Sequence, residues 1–219
     1  GFHGTSHRFI AGRSTEILGA GKKVIVCHLG NGSSLSACVN GKCVDTTMGI
    51  TPLDGLVMGT RCGTLDPACV EFIANTENKT VTEVVNMMNK QSGLLGLAGS
   101  SDMRDVTARF DAGDKDATLA LDMWAYTLKK YIGSYAAAMG GLDAIVFTAG
   151  IGENDKALRR RVCAEMDYLG IAINEDLNEN GPRGQELDIS AEGARVKTFV
   201  IPTDEEYMIA LDTKRLVEK

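Results

Sequence analysis

Short apolar runs alternate with helical stripes along this chain. Lys22 to His28 (KKVIVCH) is a continuous apolar run and predicts a buried strand. Leu29 to Ser34 (LGNGSS) follows as a turn. Leu35–Val39 and Lys42–Asp45 predict a hairpin closed by Asn40-Gly41, the sequence of a two-residue type I′ turn. Residues 46–65 are rich in glycine and predict a long functional loop. Helices then dominate. Pro67 suits the first position of one. Thr80-Val81-Thr82-Glu83 reads as a capping box, and Val81, Val84, Val85 and Met88 make a helical stripe behind it. Residues 117–139 give the clearest helix, with Leu121, Trp124, Ala125, Leu128, Ile132, Tyr135, Ala136 and Met139 on one face and Gly140-Gly141 ending it. Asp143–Thr148 predicts a strand, Ala149–Asn154 a glycine loop, and a helix starts near Asp155. Residues 174–193 are polar and predict an irregular, exposed excursion. Val196–Ile201 predicts a last strand, and Thr203 caps a final helix to about Val217. Strands alternating with helices define an α/β domain. No internal repeat or linker interrupts it.

Composition narrows the function classes. The chain carries 23 basic and 29 acidic residues, a net charge of −6, and no basic cluster beyond Arg159-Arg160-Arg161. That run is expected on a solvated helix face. Nucleic-acid binding needs concentrated Lys and Arg, so it is not expected, and no apolar stretch has the length of a membrane span. The six cysteines form no CxxC pair and are expected as thiols in a reducing, cytoplasmic setting. In the hairpin register Cys38 faces Cys43. A disulfide fits that spacing, but two packed thiols are the favoured reading.

Glycines cluster at Gly30/Gly32, Gly55/Gly59/Gly63, Gly93/Gly96/Gly99, Gly140/Gly141 and Gly150/Gly152. Each cluster alone is an ordinary turn; together they suggest backbone held close to a ligand. The strand–GIGEN–helix segment presents backbone N–H groups suited to a phosphate or ribose phosphate. It matches neither a Walker A loop nor GxGxxG. In LGNGSS, Asn31 and Ser33 add polar side chains to a turn that can wrap an anion. His3 and His7 stand four residues apart in a small-residue loop, where a histidine can donate to an anion. With His28 they leave open a zinc-hydrolase reading. Arg61, flanked by Gly59-Thr60, can reach phosphate oxygens; its bland alternative is a surface salt bridge. If Thr203 caps the final helix, the box glutamate is Glu206, and Glu205 is left for a metal such as Mg²⁺.

Taken together, FHGTSH, CHLGNGSS, DTTMGITPLDGLVMGTRCGTLDP, SSDMRD, IGSYAAAMGG, FTAGIGEN and IPTDEEYMIA resemble the acetate kinase family in order and over essentially the whole chain. The resemblance implies a ribonuclease-H-like (actin-like ATPase) lobe with a mixed sheet and flanking helices. It implies that residues 1–219 are the C-terminal nucleotide-binding lobe of a two-lobe acyl kinase whose N-terminal lobe is absent. It further implies reversible phosphoryl transfer from ATP to acetate, giving acetyl phosphate and ADP. His3 and Arg61 would stabilise the transferring phosphoryl group. His28, Leu29, Gly30, Asn31 and Gly32 would cradle the ATP phosphates. Asp102, Met103 and Arg104, with Gly150, Ile151, Gly152, Glu153 and Asn154, would line the nucleoside site, and Glu205 would help hold Mg²⁺. The family is typically a homodimer. Two alternatives stand beside this reading: a propionate kinase, and an isolated chain that binds nucleotide without turnover. Two departures are visible. Asp204 stands where the family usually has Asn, and Thr64 where an acidic residue is common.

Overall fold

The computed structural model describes residues 1–218, which divide into two compact units. Of the described residues, the first comprises 1–30, 34–46 and 129–218; the second comprises 31–33 and 47–128.

The first unit is a layered α/β body. Its strands are β1 (Lys23–Leu29), β2 (Ser33–Val39), β3 (Lys42–Thr46), β4 (Ala144–Thr148), β5 (Leu187–Asp188) and β6 (Lys197–Val200). They form one sheet in the order β3-β2-β1-β4-β6-β5. The pairs β1/β4 and β4/β6 are parallel, while β2/β3 and β5/β6 are antiparallel, so the sheet is mixed. β1 and β4 occupy the centre and are buried on both faces, which is why they read as unbroken apolar runs. One face carries Val24, Val26, Ala144, Val146, Phe199 and Ile201, which pack on Ile10 and Ala11 of α1 (Gly4–Leu18). The hairpin between β2 and β3 has the expected register. Val39 pairs with Lys42 and Cys38 with Cys43, and φ is positive at both Asn40 (52°) and Gly41 (70°), as a type I′ turn demands. Both cysteines are free thiols.

Three expectations in this unit need correction. The FHGTSH segment is not a loop: α1 begins at Gly4, with His3 at its N-cap in the left-handed region (φ 54°). Ala149–Asn154 is a helical turn, α7, and Asp155 caps the next helix, α8 (Lys156–Cys163). Residues 174–193 are not a solvated excursion. They contain α9 (Glu175–Asn180) and β5, and bury Asn178 and Ile189.

The second unit is helical. A loop from Thr47 to Asp66 precedes α2 (Ala68–Thr76), α3 (Val81–Lys90), α4 (Gly93–Ala98) and α5 (Met103–Asp111). Pro67 is the N-cap of α2 rather than its first turn, and the Asp66 carboxylate accepts from Ala68 N. The Thr80/Glu83 capping box forms as expected. Of the stripe behind it, Val84 and Met88 are buried, whereas Val81 and Val85 are exposed. α6 (Lys115–Ala138) belongs to the second unit as far as Leu128 and to the first beyond it. All eight residues expected on its buried face, ending with Met139 just past the helix, are buried. The last helix, α10 (Glu205–Val217), lies in the first unit and buries none of its residues. Among the described residues no helix is long and apolar enough to cross a membrane.

Candidate active site

Three histidines meet in the first unit. His3 stands at the N-cap of α1, His7 one turn later, and His28 near the end of β1. The rings of His3 and His28 stack with centroids 4.1 Å apart, and His7 lies 5.9 Å from His28. Serines fix all three. Ser34 Oγ lies 2.9 Å from His3 Nδ1 and 2.7 Å from His7 Nε2. Ser36 Oγ lies 2.8 Å from His7 Nδ1, and Ser6 Oγ 2.8 Å from His28 Nδ1. Thr203 donates to Ser6 Oγ at 2.8 Å. The serine proton then goes to His28 Nδ1, and the ring proton of His28 sits on Nε2 as a donor. Burial, aided by the neighbouring rings, pushes His7 down to about 3 and His28 to about 4. Both are neutral imidazoles at neutral pH.

This geometry disfavours the zinc reading. Both ring nitrogens of His7 are engaged by serine hydroxyls and aim no lone pair at a metal. Among the described residues no group of three His, Cys, Asp or Glu is disposed to hold a metal ion.

The GIGEN turn sits at the C-terminal end of β4. Ala149 takes positive φ (65°), which turns the chain sharply out of the strand. Gly152 is buried against the backbone of Cys27 and Phe147, whereas a Cβ at Gly150 would meet nothing within 4 Å. Ile151 and Glu153 are half-buried and Asn154 is exposed. Asn154 Nδ2 donates back to Gly150 O at 2.9 Å. The turn is held from below by Arg159, which was expected on a solvated face and is 5% exposed. Its guanidinium donates to Gly152 O and Glu153 O, both at 2.9 Å, and to Asn178 Oδ1 at 2.8 Å. A cation on the last carbonyls of a helical turn satisfies acceptors that have no partner within the helix. Arg160, by contrast, pairs with Glu175 and Glu179 at the surface.

A second group of the expected residues lies in the second unit. Gly59 N donates to Asn31 O at 3.1 Å. A Cβ on Gly59 would come within 2.0 Å of Asn31 Oδ1 and 3.1 Å of Ser101 O, so a side chain here would displace the Asn31 side chain. Arg61 is half-buried. It donates to Pro52 O at 3.1 Å and contacts Met58 Sδ at 3.4 Å, and among the described residues it has no ion-pair partner. The surface salt bridge is therefore not what Arg61 makes. Asp102 caps α5 and clasps Arg104, whose guanidinium holds the carboxyl at about 2. Arg104 itself is exposed, and Met103 is buried.

At the start of α10 the cap differs from expectation. Asp204, not Thr203, is the N-cap, and its carboxylate accepts from Tyr207 N at 2.8 Å. Thr203 instead bonds Ser6 and, through its backbone N–H, Glu153 Oε1 at 3.3 Å. Asp204 therefore does the capping work open to Asn at the same position. Glu205 is exposed in the first turn. The two carboxylates are hard oxygen donors, and Mg²⁺ is commonly held by one or two of these plus substrate phosphates, so the donor set fits the ion.

Sequence reasoning missed Ser6, Ser34, Ser36 and Arg159, and it marked His7 only as an anion donor or metal ligand. Ser34 and Ser36 alternate along β2 and so share a face with each other, a period-2 signal that was present. Nothing in the local pattern marks Arg159 as different from Arg160.

The mixed sheet with flanking helices, and the solved structures it matches, define an α/β lobe of the actin-like ATPase fold. The profile of the Acetokinase family matches residues 1–211, and the chain belongs to that family. It is 52% identical to acetate kinase 2 of Clostridium perfringens, over all of this chain and 56% of the relative. The crystal structure of Porphyromonas gingivalis acetate kinase superposes with a TM-score of 0.94 at 46% identity, covering 99% of this chain and 55% of that one. A propionate kinase structure from Francisella tularensis gives 0.89 at 44% identity, covering 96% and 54%. The chain thus spans about half the length of the relatives it matches.

Proposed function

We propose that this chain is the C-terminal, nucleotide-binding lobe of a two-lobe acetate kinase, which transfers a phosphoryl group reversibly between ATP and acetate. The observation that supports it most is the stacked His3–His28 pair, held by hydroxyls and kept uncharged at His28, in a chain of this family. Phosphoryl transfer needs positioning and charge stabilisation more than covalent chemistry. His28, Leu29, Gly30, Asn31 and Gly32 bind the nucleotide phosphates. His28 supplies an Nε2–H donor without a full positive charge, so it orients an anion and leaves charge compensation to others. Arg61 and His3 supply that compensation to the group in transfer. The Gly150–Asn154 turn receives the adenosine, and Asp102, Met103 and Arg104 also serve the nucleoside. Glu205, with Asp204 beside it, would hold Mg²⁺, which neutralises phosphate charge when bound. The natural protein acts as a cytoplasmic homodimer.

Calorimetric titration with MgATP tests the lobe. Saturable binding between micromolar and millimolar affinity supports the reading. No heat at millimolar ATP from a chain shown folded by circular dichroism would sink it. Acetate and propionate are then compared as acceptors after the N-terminal half of a relative is supplied in trans.

A further inference from the structure

Cys38 and Cys43 are paired directly across the β2/β3 hairpin. They flank the pair that closes a two-residue turn, so they occupy a non-hydrogen-bonded site, where Cα atoms stand roughly 4.5 Å apart. That spacing lies within the range a disulfide spans. β3 is an edge strand, and Cys43 is exposed on it, its thiol donating to Asp45 O at 3.3 Å. Cys38 is buried (1% exposed) with Cys43 within hydrogen-bonding reach, and burial pushes its thiol up to about 11. Tyr135 of α6 and Asp45 also face this pair. One thiol is thus open to a small reagent, and the other is shielded and placed to attack only its neighbour.

The buried thiol is also the end of a chain of contacts. Ser34, Ser36 and Cys38 lie two residues apart on β2 and so share one face. Cys38 Sγ is 3.7 Å from Ser36 Oγ, which is 2.8 Å from His7 Nδ1. His7 Nε2 is 2.7 Å from Ser34 Oγ, which is 2.9 Å from His3 Nδ1. Donation can run either way along this chain: headed by Cys38 S–H, Ser36 O–H donates to His7 Nδ1, His7 Nε2–H to Ser34 and Ser34 O–H to His3 Nδ1; headed by His3 Nδ1–H, every link reverses and Ser36 O–H donates to Cys38 Sγ.

We propose that Cys38 and Cys43 are an oxidisable dithiol that closes to a cross-strand disulfide, and that its closure is felt at His3 through Ser36, His7 and Ser34. The oxidant is the disulfide of a small thiol. The Cys43 thiolate attacks one of its sulfurs, forms a mixed disulfide and expels one small thiol. The Cys38 thiolate then attacks the Cys43 sulfur and expels the second. The protein loses two hydrogens and the small disulfide gains them. Closure removes the S–H, so Cys38 sulfur can only accept, which favours the direction in which Ser36 donates to it and His7 carries its proton on Nδ1. The disulfide stands independently of the proposed activity; only its bearing on phosphoryl transfer rests on the role given to His3.

Trypsin cuts after Lys42, between the two cysteines, so the disulfide joins peptides 24–42 and 43–61, which otherwise separate. After treatment of the whole chain with oxidised glutathione, the joined pair is expected by mass spectrometry. In C38S a stable glutathione adduct on Cys43 is expected in its place, and this control excludes Cys27 on the same peptide. ¹⁵N spectra of the imidazoles read the second half. His7 is expected to move most on oxidation, with His3 following, and both return on reduction. A persistent glutathione adduct on Cys43 in the unmodified chain would overturn the disulfide. Joined peptides with unmoved His7 and His3 signals would overturn the coupling.

Discussion

His3 and His28 stack with their ring centroids 4.1 Å apart and their planes inclined by only 20°. Two imidazoles this close cannot both carry a proton cheaply, and burial already disfavours charge on His28 and His7. His7 and His28 are therefore most stable in the folded chain as neutral rings.

That sets the pH dependence of folding. In the unfolded chain His7 and His28 titrate near 6.5, and in the folded chain near 3 and 4. Between these values the unfolded state holds more protons, so stability rises with pH across that window. It is fully present above about pH 6.5 and is lost as pH falls. At about pH 5 the two histidines are expected to cost about 2 kcal/mol each relative to neutrality. Urea titrations across this range check it, and His28→Asn is expected to remove about half of the slope. A flat profile would show that the folded cluster takes up protons freely.

Two glycines separate packing from ligand binding in the second unit. In Gly93→Ala, the new methyl meets Met58 O at 2.1 Å with φ at 60°, and backbone cannot yield. A loss of about 1–3 kcal/mol is expected. In Gly59→Ala, the atom met first is the tip of the exposed Asn31 side chain, which can swing away. Stability is expected to change less than in Gly93→Ala, while MgATP affinity falls at least several-fold. Equal stability losses with unchanged affinity would remove Asn31 from the phosphate site.

The GIGEN turn allows the same separation. Gly150 faces open space, so Gly150→Leu is expected to leave the melting temperature close to that of the parent and to abolish nucleotide binding. Arg159→Lys keeps a charge but cannot reach all the acceptors that the guanidinium fork serves. It is expected to lower stability by about 1–3 kcal/mol and to weaken nucleotide binding as well. Thermal melts paired with MgATP titrations distinguish the two. Normal binding in Gly150→Leu would place the adenosine elsewhere.

The parts of this fold legible in the sequence were those whose burial is apolar. β1, β4 and the buried face of α6 announced themselves because Val, Ile, Phe and Leu fill their inward positions. α1 did not. Its buried stripe is Ser6, His7, Ile10, Ala11 and Ser14, three polar residues out of five, so its amphipathic signal is faint. Those same polar residues build the histidine cluster, and the local rule fails where the chemistry sits. Arg159 was illegible for a different reason. Its burial is created by α9, some twenty residues on, which has few apolar residues to announce its packing. The hairpin lay at the other extreme, since Asn40-Gly41 fixes turn and register locally.

Asp204 gives the last test, of cap against metal. Its carboxylate accepts from Tyr207 N and so closes the first turn of α10. An N-cap is worth about 0.5–2 kcal/mol against Ala, and Asn serves nearly as well as Asp. Asp204→Ala is therefore expected to lose stability in that range, and Asp204→Asn almost none. If capping is its whole role, Asp204→Asn also leaves the Mg²⁺ dependence of nucleotide binding unchanged, whereas Glu205→Gln weakens it. A Mg²⁺ requirement that shifts several-fold in Asp204→Asn, with stability intact, would make Asp204 a second oxygen donor to the ion. Calorimetric ATP titrations over a range of Mg²⁺ concentrations decide between the two roles, because the cap acts on folding alone and the donor on binding alone.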